Sequence, residues 1–234
     1  MKLTNYQLKY LKDEKFQDRY LPLLNSRLLY SNNRMEYNID EIDDLFNDNI
    51  LSLDDNYKAF RILLNKLNDN EPLSEELIIE VANTVNKHAM YISNGYRTLD
   101  NNVKFDKLYP IEKASKIKEK MKELLDDYNN KWKNLDIMER EALFNIEFLR
   151  IHPFEDGNGR TSRLILNYNM LRLGHAPILI PSKIRNKYFN ARNKEDIEWI
   201  KELFTKESRK ESIIVDTMIS SYIEELENNK KRRR

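Results

Sequence analysis

The sequence predicts an all-α fold, and three observations carry that prediction. Apolar residues recur at three- and four-residue steps between charged ones through most of the 234 residues. One stretch, Leu164 to Leu173, is apolar around most of its circumference, as a helix at the centre of a fold must be. Only Thr98 to Tyr109, bounded by Gly95 and Pro110, lacks the helical period, so a loop or one small β-hairpin is expected there.

Each element has its own signal. The first residues, MKLTNYQLKYLKDEKF, break every short apolar run with Lys, Asp or Glu and so lack the apolar stretch of a secretory leader. Leu53, Tyr57, Phe60, Leu63, Leu64 and Leu67 mark one helical stripe. Ile78, Val81, Val85 and Ala89 mark another, expected to end near Asn94-Gly95. Pro110 suits the first turn of a long helix running to about Lys133, and Ile137 to Ile151 forms the next. The central helix should stop at Gly174, with Pro177 soon after. Further helices are expected at about 182–191, 195–207 and 211–228.

Composition narrows the function. Forty basic and 39 acidic residues give a net charge of +1, so no overall field draws the chain to nucleic acid or to an anionic membrane. The basic run Lys230 to Arg234 reads as a solvated tail. Without cysteine there is no disulfide, thiolate nucleophile or thiolate metal site. No segment approaches the roughly 18 uncharged apolar residues that span a bilayer, and a cytoplasmic protein is expected. Typical usage would give roughly sixteen glycines. The chain has 4, and two of them, Gly157 and Gly159, share one tripeptide.

That tripeptide lies in Ile151-His-Pro-Phe-Glu-Asp-Gly-Asn-Gly-Arg-Thr-Ser-Arg163, a polar turn between two apolar helices. Gly157 and Gly159 permit positive φ and close approach of the backbone to a ligand, and Asn158 tolerates unusual backbone geometry. The helix that follows aims its first N–H groups and its positive dipole end at the turn, which makes an anion site. Arg160 and Arg163, three apart, are expected on one side of that helix, each gripping phosphate oxygens. Asp156 beside phosphates suggests a bound Mg²⁺ or Mn²⁺ completed by water and substrate oxygens. His152, with an ordinary pKa near 6.5, suits a general base.

The segment His152-Pro-Phe154-Glu-Asp156-Gly157-Asn158-Gly159-Arg160-Thr-Ser-Arg163 resembles the signature of Fic-domain proteins. Gly95-Tyr96-Arg97-Thr98 resembles the start of that family's flap, a hairpin on which the target protein docks, here at about 98–109. Ala176 to Ile180 and Arg185 to Phe189 resemble the segments after its central helix. The resemblance implies a protein adenylyltransferase that moves AMP from ATP to a Ser, Thr or Tyr hydroxyl of a target protein. It implies His152 as base, Asp156 as metal ligand, and Gly157, Asn158, Gly159, Arg160 and Arg163 as phosphate-binding residues, with Phe154 a buried anchor. Tyr188, Phe189 and Asn193 become adenine-side candidates, although core packing explains the two rings equally well. Asn33 to Leu45 resembles an inhibitory segment in which Glu36 competes for the γ-phosphate's partner. The family's Ser or Thr four residues earlier is Asn32 here, and its following Gly is Tyr37.

On this basis residues 1–27 form an N-terminal helical extension, 28–205 the catalytic domain with its inhibitory segment, and 206–234 a C-terminal helix and basic tail. A catalytically idle nucleotide-sensing or partner-binding module is the rival, as is a Fic-type enzyme with a different phospho-transfer or an AMP-removing activity. Self-association is left open. His88 and His175 are expected to be structural or exposed, too far apart for a zinc motif.

Overall fold

A computed structural model describes residues 1–37, 50–88, 95–100 and 111–232. Helix α1 (Asn5–Leu11) opens with a capping box in which Thr4 and Gln7 satisfy each other's backbone N–H groups. Helix α2 (Glu14–Tyr37) follows, then α3 (Ile50–Asn68) and α4 (Glu75–Val85), the last capped by Ser74 and started on Glu75 and Glu76. Helix α5 (Ile117–Asp126) runs on into a π-helical turn, Asp127–Lys131. Helices α6 (Ile137–Ile151) and α7 (Asn158–Arg172) flank the glycine-containing turn, and α8 (Arg185–Asn193) and α9 (Ile197–Arg232) complete the chain. Among the described residues no helix is long and apolar enough to cross a membrane.

The all-α expectation holds, and α7 is the helix at its centre. From Asn158 to Met170 every residue of α7 except Gly159 is buried. It packs on α2, α3, α4 and α6. Leu164, Ile165 and Tyr168 face one apolar cluster with Phe16, Tyr20, Leu63, Val81 and Phe148. Leu166 and Met170 face a second with Met35, Met138, Ile178, Tyr188 and Phe204. Asn167, polar and fully buried, holds the next segment in place: its amide donates to the Ile178 carbonyl at 3.0 Å and its oxygen accepts from the Ile178 N–H at 2.7 Å. Gly174, with φ of 75°, ends the run as expected.

Three expected boundaries are corrected. Helix α4 stops at Val85 rather than near Asn94, because the chain turns at Asn86 and the His88 backbone N–H and ring both bind the Asp55 carboxylate on α3. The helix expected from Pro110 begins only at Ala114. Before it, the Glu112 N–H donates to the Arg150 carbonyl at 3.1 Å, and the Ala114 N–H is capped by Asp100 at 2.6 Å. The helices expected at 195–207 and 211–228 are a single helix, α9. The polar residues that read as a gap are buried contacts, Ser208 with the Ala176 carbonyl and Glu211 with Arg27 and Tyr20. Of the hairpin, residues 98–100 carry no strand and 101–109 lie outside the described residues.

Candidate functional site

The turn between α6 and α7 is built from two left-handed residues. His152 caps α6 with φ of 50° and ψ of 60°, a conformation uncommon outside glycine, and its N–H still donates to the Phe148 carbonyl at 3.0 Å. It is 7% exposed. Gly157, with φ of 72°, caps α7. A Cβ at Gly157 would stand 2.3 Å from the Asn86 side-chain oxygen, so both backbone angle and space exclude a side chain there.

Between these two residues the loop is stapled inward. Phe154 is buried between Tyr96 and Phe148, with ring centroids 5.7 and 6.3 Å away. The Asn158 carboxamide closes the loop on itself: its oxygen accepts from the Phe154 N–H at 2.9 Å and its nitrogen donates to the Phe154 carbonyl at 2.8 Å. The Asn158 side chain thus serves the loop. The first bond of the α7 ladder is the Thr161 N–H to the Gly157 carbonyl, at 2.8 Å. The backbone N–H groups of Asn158 and Gly159 precede it, where an anion completes a helix start.

The two arginines part company. Arg160 turns toward the end of α4, where its guanidinium donates to Asn86 Oδ1 at 3.2 Å and to Asp156 Oδ2 at 3.1 Å. Arg163 turns toward α2, its Nε donating to Asn32 Oδ1 at 2.5 Å. Three residues along a helix span about 300° of rotation, and each side chain follows its own neighbours. Asp156 has its other carboxylate oxygen on the Gly157 N–H at 2.6 Å and a side chain that is 54% exposed.

A cavity of about 260 Å³ opens over this turn, lined by Leu149, His152, Glu155, Asp156, Gly157, Asn158, Gly159, Arg163, Arg185, Tyr188, Phe189 and Arg192. Larger cavities, of about 580, 430 and 700 Å³, lie elsewhere among the described residues, and none of these three touches this turn. The polar chemistry converges on the smaller one.

The Fic/DOC family model matches residues 72–170, which include the whole turn. The chain contains a Fic domain. Over 74 residues it is 38% identical to protein adenylyltransferase fic-1 of Caenorhabditis elegans, a match covering 31% of this chain and 15% of that protein. Over 49 residues it is 51% identical to protein adenylyltransferase Fic of Drosophila yakuba, covering 21% and 10%. The chain therefore matches only a small part of these curated relatives' length. The fold is also that of a Fic domain containing signaling protein from Bacteroides thetaiotaomicron, with a TM-score of 0.78 at 20% identity over 92% of this chain and 96% of that one. For Fic-1 of C. elegans the TM-score is 0.60 at 18% identity, over 94% and 67%.

Around the Fic domain's turn, the structure gathers most of the residues singled out from sequence. His152, Asp156, Gly157, Asn158, Gly159, Arg163, Tyr188 and Phe189 line one cavity, whereas Arg160 and Asn193 do not. Tyr188 is only 1% exposed, its hydroxyl donating to Asn145 Oδ1 at 2.5 Å, and Asn193 accepts from Arg192 at 3.2 Å. Glu36 stands in the last turn of α2, and its side chain lies outside the described residues. Residues not anticipated are Asn86, Arg97, Arg185 and Arg192. Arg185 and Arg192 flank the Phe189 ring at 4.6 and 5.0 Å, and their spacing of four and three residues from Phe189 was the available signal. Asn86, one asparagine among many, offers no signal in a single sequence.

Proposed function

We propose that this chain transfers AMP from ATP to a hydroxyl side chain of another protein. The observation that carries it is one cavity containing His152, the start of α7 and Arg163. An imidazole beside an anion site suits removal of a proton from a hydroxyl whose oxygen attacks phosphorus. The oxygen–Pα bond forms as the Pα–oxygen bond to pyrophosphate breaks, and the proton passes to His152. The protein's contribution is positioning and charge neutralisation. In this scheme the backbone N–H groups at the start of α7 and Arg163 bind phosphate, and Arg160 chiefly fixes Asp156. Phe189, Tyr188 and Asn193 stay proposed on the adenine side, with the Phe189 ring the better placed of the two because Tyr188 is buried in the core.

Asp156 is the residue proposed to hold Mg²⁺ or Mn²⁺. A half-exposed carboxylate on the cavity wall fits a hard cation that keeps several waters and shares substrate phosphates. Among the described residues no cluster of three or more His, Cys, Asp or Glu forms an all-protein cage. When bound, the ion neutralises phosphate charge; Asp156 is itself oriented by Gly157 and Arg160.

Glu36 is proposed as an internal restraint. The end of α2 reaches the site through Asn32, bonded to Arg163, and through the Met35 carbonyl, which accepts from Arg185 at 2.6 Å. A carboxylate on that turn would compete with phosphate for a guanidinium. The target is proposed to dock near 98–109, the catalytic unit to span 28–205, and the protein to act in the cytoplasm.

The test uses ATP labelled at the α- or the γ-phosphate, Mg²⁺ and a cell lysate. AMP transfer places α-label, not γ-label, on protein, and His152→Ala removes it while ATP binding persists. Transfer of γ-label would make the enzyme a phosphoryl transferase, and no label from either ATP would favour a binding module.

A further inference from the structure

Arg97 is the most enclosed cation near the site, its side chain 0% exposed. It bonds almost entirely with backbone. Its Nε donates to the His152 carbonyl at 2.7 Å, and its own N–H donates to the Pro153 carbonyl at 2.9 Å. One terminal nitrogen donates to the Leu99 carbonyl at 2.9 Å, and the other to the Glu112 carbonyl and, at 3.5 Å, to that of Ile151. Among the described residues its nearest carboxylate, Asp100, is 3.9 Å away and largely exposed. A buried guanidinium surrounded by carbonyls rather than by a carboxylate is held for geometry, since a planar fork fixes several acceptors at once.

Those acceptors belong to three places: the end of α6, the left-handed turn at His152, and the two sides of the segment 100–111. We infer that Arg97 is a positioning residue, which sets the backbone and hence the imidazole direction at His152 and ties it to the segment proposed to receive the target. The inference rests on the proposed base role of His152. Its physical basis is separate, because a residue at φ of 50° keeps that angle only where its surroundings impose it. Phe148 supplies one restraint through the His152 N–H, and Arg97 supplies the restraint on its carbonyl.

The experiment is Arg97→Lys in the full chain, which keeps the charge but replaces the fork by a single ammonium. We expect a folded protein whose ATP affinity stays within about threefold of wild type while the rate of self-modification with AMP falls about 10²-fold. The chain has 3 histidines, so ring resonances identify each one. The His152 signal, assigned through His152→Ala, should shift in Arg97→Lys while those of His88 and His175 hold. An unmoved His152 signal with a wild-type rate would overturn the inference, as would a loss of rate that only follows the unfolded fraction. Should Arg97→Lys not fold, Arg97→Ala supplied with ethylguanidinium decides: recovery of rate supports positioning, and no recovery refutes it. If the wild-type chain transfers no AMP, the enzymatic proposal fails, and the His152 resonance alone decides the role of Arg97.

Discussion

Gly157 is the residue on which the site's geometry turns. Its φ of 72° costs a side-chain-bearing residue about 1–2 kcal/mol, and the Asn86 oxygen 2.3 Å from a built Cβ adds a clash with a side chain that is itself committed. Asn86 donates to the Asp156 carbonyl at 2.7 Å and accepts from Arg160, so it cannot yield without releasing both. Gly157→Ala should therefore lower transfer by at least about 10²-fold, because a loop shift near 1 Å misaligns the reacting atoms; a wild-type rate would show that the loop absorbs the methyl. Asp156→Ala separates metal from scaffold. It should weaken the Mg²⁺ dependence of ATP binding and reduce transfer, and an unchanged magnesium titration would remove Asp156 as a ligand.

At the scale of elements, α2 is the regulator we propose and α7 the object it regulates. Asn32 Oδ1 already occupies the Arg163 Nε, so α2 is in direct contact with the start of α7. The last turn of α2 follows directly on this contact, which sets it beside the guanidinium that phosphate would need. Glu36→Gly should raise AMP transfer, including self-modification, and should have no such effect in a His152→Ala background. Equal initial rates at saturating ATP and matched folded protein would return this turn to an ordinary helix end.

Across the whole molecule, one buried carboxylate links the helices that carry the turn. Glu141 on α6 is fully buried, accepts from the Tyr128 hydroxyl at 2.6 Å and from Asn169 of α7 at 3.1 Å, and has Arg140 and Arg172 nearby. Burial pushes its pKa up from 4.5 to about 7, against those hydrogen bonds and positive charges. Its folded pKa lies above its unfolded value, so between pH 4.5 and about 7 the folded state holds more of this proton. Stability from this group is thus full below pH 4.5 and falls as pH rises to about 7. His175, whose pKa burial lowers, works in the opposite sense. The difference between wild type and Glu141→Gln isolates the carboxylate: relative to the variant, wild-type melting temperature should decline from pH 5 to 8. A difference that stays constant across that range would show that Glu141 does not titrate there.

The sequence by itself determined the helical class, the central helix and the turn that precedes it. Periodicity and the scarcity of glycine are local properties, and a segment apolar around most of its circumference belongs at the centre of a fold. The gathering of His152, Asp156 and Gly157 in one turn was legible for the same reason, since they occupy one short loop. Only the tertiary structure decided that Arg160 and Arg163 point to different neighbours, that Asn86 fills the space a Gly157 side chain would need, and that Arg97 joins the His152 carbonyl to Leu99 and Glu112. It likewise made α9 one helix, because Ser208 and Glu211 look like a break until their partners on other segments are seen. Each of these outcomes depends on groups distant in the chain, and spacing along one sequence records what a residue can do but not which distant group it meets.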